Sequence, residues 1–375
     1  MGQLEEHGFH YEPEAHSMNR REALLNGMGF AACTALLKGF PPLTARQSGS
    51  ALKPLKAAGA CSGRQIGIAA DKASLQDPSV AQLVVRNFNL LTASGMKWDR
   101  IHPVPDTYDF AEADWNINFA QQNSMQVHGH NLCWNSPLAY PAWFKTVLNR
   151  SNAAKFLTEH ITTVMRRYAG RISSWDVVNE PVVPWSKRSD GLYPGIWLDL
   201  LGPRYIDTAF HAAAEADPKA LRMMNIYRVE QGTEEDQKTR RDTIELLKQL
   251  MARGVPVQAV GIESHLDASK PLGGAQFSQF LSEIRALKLQ VLITEFDVLE
   301  TRAVGDSRAW DETAARYYGD YLSQVMKTEN PRFIIFWSLK DGWWKERRIQ
   351  GLMQKNLSPR LTYHAALTAL EHPCE

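Results

Sequence analysis

The sequence predicts an α/β chain built as a (β/α)8 TIM barrel in a single domain. Three observations carry this. Eight short apolar runs alternate with longer stretches of helical period, the pattern of βα units around a parallel sheet. The alternation continues from about residue 60 with no Pro/Gly/Ser-rich linker to divide it. The 375 residues are enough to bury the large core that such a barrel needs.

Taken in order, the strand-like runs are Ile66 to Ala69, Phe88 to Leu91, Gln126 to Cys133, Ser174 to Val178, Leu221 to Ile226, Gln258 to Ile262, Gln290 to Thr294 and Arg332 to Trp337. Helical segments between them include Ala111 to Gln122, Asn152 to Tyr168, Tyr205 to Ala216, Thr233 to Arg253, Gln276 to Leu287 and Glu312 to Thr328, with Pro359 to Glu371 last. Each run is followed by a helix. In such a barrel, catalytic groups sit where strands end and the next loops begin. Polar and aromatic residues concentrate there: His128, His130 and Trp134 after the third run, Asn179 and Glu180 after the fourth, His265 after the sixth, Glu295 and Asp297 after the seventh, Trp337 and Asp341 after the eighth.

Composition narrows the partners. With 44% hydrophobic and 22% charged residues the chain is a soluble globular protein, not a collagen, coiled coil or disordered polymer. Lys+Arg 42 against Asp+Glu 41 leaves +1, which gives no field for nucleic acid or an anionic membrane. The 11 Trp and 11 Tyr suit stacking on sugars, although most such rings are core. Cys33, Cys61, Cys133 and Cys374 form no C-x-x-C pair and no metal spacing with the histidines. Cys61 and Cys374 flank the domain, and geometry decides whether they pair. No phosphate loop, metal cluster or cofactor signature is present, so a cofactor-free, metal-free protein is expected; a monomer is the default expectation, since the sequence does not specify the oligomeric state.

Residues 1–50 read as an extension and 60–375 as the barrel domain. Within the extension, M-N-R-R-E-A-L-L from Met18 precedes the apolar stretch Ala23 to Leu37, then Lys38, Pro41 and Pro42. This resembles a twin-arginine export signal over residues 18–47: a basic start, then an apolar run too short to span a bilayer. The expected location is periplasmic or extracellular. The residues before Met18 fit such a signal if Met18 is the true start, and an amphipathic capping helix is the alternative.

Two glutamates stand out. Glu180 ends W-D-V-V-N-E-P, where a proline stops the strand, and Glu295 lies in V-L-I-T-E-F-D-V. Fourth and seventh strands lie across a barrel of eight, so the two carboxyl groups can face each other over a pocket. A retaining glycosidase needs such a pair, about 5 to 5.5 Å apart. An isolated strand-end Glu reads as a cap or ion-pair residue; two in matching contexts do not.

M-K-W-D (Met96 to Asp99), G-H-N-L-C-W (Gly129 to Trp134), W-D-V-V-N-E-P, E-S-H-L (Glu263 to Leu266), I-T-E-F-D-V and W-S-L-K-D-G-W-W (Trp337 to Trp344) occur in this order. Together they resemble glycoside hydrolase family ten, retaining endo-1,4-β-xylanases, over about residues 64 to 371. The resemblance implies that Glu180 is the acid/base and Glu295 the nucleophile, with His265 hydrogen-bonded to Glu295 and oriented by Asp297. It implies that Asn179 binds the sugar 2-hydroxyl. Lys97, His130 and Trp134 would hold xylose on the glycone side, while Trp337 and Trp344 would wall the sugar at the cleavage point. Glu263 is placed among the substrate-binding residues. Judged singly, His265 is a core histidine, Asn179 a turn residue and the tryptophans core.

Four departures from the family pattern follow. T-x-E-N-x-M-K-W is here T-A-S-G-M-K-W, Thr92 to Trp98, one residue shorter and without the Glu and Asn that bind the second glycone sugar. W-H-S-Q is W-N-S-P, Trp134 to Pro137, losing a hydrogen-bonding amide. Asn-Asp after the fifth strand is Asn225-Ile226, and the Gln of Q-S-H is Glu263. Glu263 is expected either to be protonated and to donate as the amide did, or to raise Glu180 and move the pH optimum; pairing with Arg228 is the bland alternative. The eroded glycone site implies weak cleavage of plain xylo-oligomers, or reliance on decorated xylan or on leaving-group contacts. Candidates for those contacts are Trp185, Lys187, Arg188, Asp190 and Tyr193 in the loop Val182 to Trp197, and Arg347 and Arg348. A β-glycanase of altered specificity and a non-catalytic carbohydrate-binding barrel are the competing readings. Retention of Asn179, Glu180, His265, Glu295 and Asp297 argues against the binder.

Overall fold

In the computed structural model, which describes residues 52–60, 62–299, 307–341, 343 and 349–371, eight parallel strands close on themselves. They are β1 (Gln65–Ala70), β2 (Leu90–Ala93), β3 (Gln126–Gly129), β4 (Ser174–Asn179), β5 (Leu221–Ile226), β6 (Ala259–Ile262), β7 (Gln290–Leu299) and β8 (Phe333–Phe336). Each pairs with the next, and β8 pairs back onto β1 with Ile66 opposite Ile334. Eight helices follow them: α1 (Pro78–Asn87), α2 (Ala111–Gln122), α3 (Ala153–Arg167), α4 (Tyr205–Ala216), α5 (Glu234–Ala252), α6 (Gly274–Ala286), α7 (Ser307–Thr328) and α8 (Leu361–Glu371). The predicted barrel is the observed one. The export-like segment 18–47, Cys33, Cys61, Cys374, Trp344, Arg347 and Arg348 lie outside the described residues.

Local chemistry sets the helix starts. Asp77 caps α1 by accepting from the Ser79 amide, with Pro78 at the first helical position. Thr233 caps α5 by accepting from the Asp236 amide, and Glu234, Glu235 and Asp236 put negative charge at the positive end of the helix dipole. Alternate strand residues separate two cores. Leu90, Leu221, Met223, Ala259, Leu292, Phe333 and Ile335 form a small cluster of their own, while the opposite faces pack against the helices. No helix among the described residues is long and apolar enough to cross a membrane.

Three strands differ from the sequence expectation by two or more residues at an end, and four others by a single residue. The second starts at Leu90, not Phe88, because the Phe88 amide still closes the last turn of α1 on Val84 O, although its ring is buried like that of a strand residue. The third ends at Gly129 instead of Cys133. There the Trp175 ring crosses the strand so closely that a Cβ on Gly129 would lie 2.2 Å from it. The seventh runs ten residues, past Thr294, because its far end pairs with a short strand, His265–Asp267, and with Ile349–Gln350.

Candidate active site

The strands that carry the key carboxylates are irregular close to them, β4 just before Glu180 and β7 around Glu295. Against β5, β4 slips by one residue between Asp176 and Val178, and against β8, β7 slips between Ile293 and Phe296. Such bulges re-aim side chains at a barrel rim. Glu180 follows β4 at φ +47, a left-handed conformation rare for a non-glycine residue, and its amide donates to Asn225 O at 2.9 Å. Glu295 sits within β7 and is buried.

Asn225 ties the floor together. Its Nδ2 lies 2.8 Å from Glu295 Oε1, 2.9 Å from Asn179 Oδ1 and 3.3 Å from Glu263 Oε1, and its Oδ1 accepts from Thr294 Oγ1 at 2.7 Å. Gly261 makes the room: a Cβ there would come within 2.3 Å of Asn225 Oδ1. On the other side of Glu295, His265 contributes Nε2 at 3.3 Å from Oε2, while its Nδ1 is 2.7 Å from Asp297 Oδ1. His130 Nδ1 is 3.6 Å from Glu295 Oε1 and 2.9 Å from Asp176 Oδ2, which also faces His128 Nε2 at 2.9 Å.

These surroundings split the carboxyls. Burial pushes Glu180 up to about 7, and the negative Glu295 adds to this against the Trp134 indole, which donates to Glu180 Oε2 at 3.0 Å, and Lys97. Burial also acts to raise Glu295, but His130 and the His265 hydrogen bond outweigh it and hold Glu295 below the ordinary glutamate value. Glu263 is raised well above its ordinary value by burial, then by Glu295 and Glu180. Geometry agrees: the Asn225 amide has two hydrogens for three oxygens, and Glu263 holds the longest contact. A proton on Glu263 relieves that shortage. Arg228 ion-pairs with Glu235 at 2.6 Å. Two triads, His130–Asp176–Glu295 and Glu263–His265–Glu295, gather donors within 4.8 Å, but in each the histidine is already engaged with the carboxylates, so the arrangement is a hydrogen-bonded network.

The profile of glycosyl hydrolase family 10 matches residues 54–369. The chain belongs to that family. It is 31% identical over 300 residues to endo-1,4-beta-xylanase B of Thermotoga neapolitana, covering 77% of this chain and 83% of that one. Xylanase 10B from Thermotoga maritima superposes with a TM-score of 0.77 at 30% identity, over 85% of this chain and 98% of that one. Xylanase 10B from Thermotoga petrophila RKU-1, solved in complex with xylobiose, gives 0.76 at 28% identity, over 88% and 100%.

Of the residues expected in this family 10 site, Glu180, Glu295, His265, Asp297, Asn179, His130, Glu263, Trp134, Lys97 and Trp337 are brought together. The Lys97 ammonium lies 4.8 Å from the centre of the Trp134 ring, and the Trp337 ring meets His130 edge-on at 5.3 Å. Trp343, which sequence reasoning did not assign, donates its indole N–H to Ala69 O at 3.0 Å and packs on the core. At the shortened β2 loop, Ser94 Oγ donates to Glu112 Oε1 at 2.8 Å and lies 3.2 Å from Asn116 Nδ2, both on α2. Pro137 is exposed. Beyond Glu180, Trp185 is 52% exposed and meets Tyr193 and Tyr227 edge-on.

Sequence reasoning also left Asp176, Asn225, Thr294 and His128 without roles. All four are buried polar residues inside otherwise apolar strand runs, a pattern that requires a partner and was the available signal.

Proposed function

We propose that this family 10 glycoside hydrolase cleaves the β-1,4-linked xylan backbone internally with retention of configuration. The observation that carries this reading is the split between two facing carboxyls, Glu180 raised to about 7 and Glu295 held ionised. Glu295 attacks the anomeric carbon as the bond to the leaving oxygen breaks, and the Glu180 proton passes to that oxygen. Glu180, now ionised, takes a proton from water, whose oxygen displaces Glu295. Asn225, His130 and His265 hold Glu295 for in-line attack, and Asn179 is placed to meet the sugar 2-hydroxyl.

Activity requires Glu295 ionised and Glu180 protonated. It therefore rises with pH through a value below the ordinary glutamate range and falls as pH passes about 7, the two limbs belonging to the coupled pair. Glu295→Ala is expected to lose on the order of 10⁵-fold in kcat on xylan. Glu180→Ala should lose about 10²- to 10⁴-fold on xylan but far less on an aryl β-xylobioside, whose leaving group needs no proton. Proton NMR of fresh hydrolysate should show the β-anomer first; α-anomer first, or cleavage indifferent to Glu295→Ala, would sink the reading.

The turned-in β2 loop and Pro137 favour decorated over plain xylan, and Trp185 with Tyr193 and Tyr227 favours a bound leaving-group sugar. Paired Arg20 and Arg21 support export through segment 18–47 ahead of a barrel domain at 60–375. Cell fractionation of an Arg20→Lys, Arg21→Lys variant tests this: unchanged export excludes the twin-arginine route.

A further inference from the structure

The turn that brings His265 to Glu295 is gripped from behind. Ser264, between Glu263 and His265, has φ +67, a conformation in which only glycine is at ease. Each of its polar groups is taken. Its amide donates to Glu230 Oε1 at 2.7 Å, its hydroxyl lies 3.1 Å from Ile262 O and 2.6 Å from Tyr321 Oη, and its carbonyl accepts from the Asp297 amide at 3.2 Å. Glu230 is buried, and its other oxygen accepts from its neighbour's amide, Val229 N, at 2.9 Å. Both of its oxygens therefore hold backbone. A carboxyl is a costly group to bury for packing alone.

We propose that Glu230 is a positioning residue for the nucleophile: by holding the Ser264 amide it fixes the left-handed turn from which His265 reaches both Asp297 and Glu295. The inference rests on the retaining-hydrolase reading for its catalytic consequence but not for its geometry. Without Glu230 the turn relaxes toward an ordinary conformation, and His265 withdraws from Glu295. Of the charged groups facing Glu295, namely His130, Asp176, Glu180, Glu263 and His265, a favourable one is then lost, so Glu295 binds its proton more tightly. Asp236 and Arg240 face Glu230 from α5, Glu263 from the end of β6 and Tyr321 from α7.

The test uses the full chain and an aryl β-xylobioside. Glu230→Ala should lower kcat about 10²-fold, the effect of misplacing a reacting group by roughly 1 Å, with little change in KM. Its acid limb should move to higher pH by more than the alkaline limb, because His265 hydrogen-bonds Glu295 but acts on Glu180 only as a more distant charge. Glu230→Gln keeps an acceptor for the Ser264 amide and should recover most of the loss. In a Ser264→Gly background, where φ +67 needs no support, Glu230→Ala should cost at least about fivefold less. Both limbs at wild-type pH, or an equal loss in the glycine background, would overturn the proposal in favour of plain packing. If Glu230→Ala does not fold, Glu230→Met, which fills the space but accepts nothing from the Ser264 amide, takes its place in the same comparisons. Wild-type turnover that depends on Glu295 is measured first, and its absence counts against the hydrolase reading alone. A crystal structure of Glu230→Ala, or of Glu230→Met in its place, then decides the positioning: His265 drawn away from Glu295 supports it, His265 unmoved overturns it.

Discussion

The floor of the cleft and its β2–β3 rim handle polar atoms in opposite ways. On the floor, Asp176, Asn179, Asn225, Thr294, His130, His265 and Glu295 hydrogen-bond to or face one another, so each is placed by at least one of the rest. On the rim, Ser94 turns to Glu112 and Asn116 of α2, and Pro137 has no donor at all. The difference reflects what depends on each group. A floor residue removed leaves a buried partner unsatisfied, whereas a rim residue that binds one hydroxyl is worth about 1 kcal/mol and supports nothing else. The rim can therefore change with the substrate while the chemistry stays.

The contrast can be broken most forcefully at Asp176. Burial acts to raise this carboxyl, but His128 and His130 hold it down to about 2. Asp176→Asn strands both imidazoles and should destabilise the barrel by about 3 kcal/mol at neutral pH, read from the urea midpoint. Because the folded value lies below the ordinary 3.8, this stabilisation is complete above that pH and is lost as pH falls toward about 2, so wild type and variant should converge there. An unchanged midpoint would mean the floor is no more interdependent than the rim. A smaller effect is expected at the rim itself. Pro137→Gln restores an amide and should raise kcat/KM on plain xylo-oligosaccharides about fivefold, with little gain on decorated ones; no gain on either would mean that other contacts already compensate. The smallest effect is expected at Glu263. As a neutral acid it stands in for the amide, so Glu263→Gln should leave both limbs of the pH profile within about 0.3 unit. A displacement near a full unit would mean that Glu263 carries charge in the working enzyme.

Strands buried on both faces read as apolar runs, and all eight were legible for that reason. Their ends were not, since Phe88 is buried like a strand residue while its amide belongs to a helix, and β7 is prolonged by a partner strand that begins at His265. The two glutamates were legible because each comes at the end of a recognisable apolar strand run, Glu180 before a proline and Glu295 after Thr294. The bulges close to them were not, because an extra backbone residue leaves no mark in side-chain type. Asn225 and Asp176 stood within quoted runs, yet what they hold became visible only once distant strands were side by side.

The unusual length of β7 has a mechanical consequence. Glu295 is at mid-span of a beam braced below by Ile293 against Ile334 and above by Asp297 against His265, whereas Glu180 lies just past β4, where the chain is held by the Tyr193 amide on Pro181 O and the Val183 amide on Gly191 O. A force on Glu295 passes into the sheet on both sides along one strand, while the same force on Glu180 passes into β4 on one side and a loop on the other. The carboxyl that must stay still through two displacements is mounted stiffly. On the retaining reading, the one that serves first a sugar oxygen and then a water is mounted where strand gives way to loop.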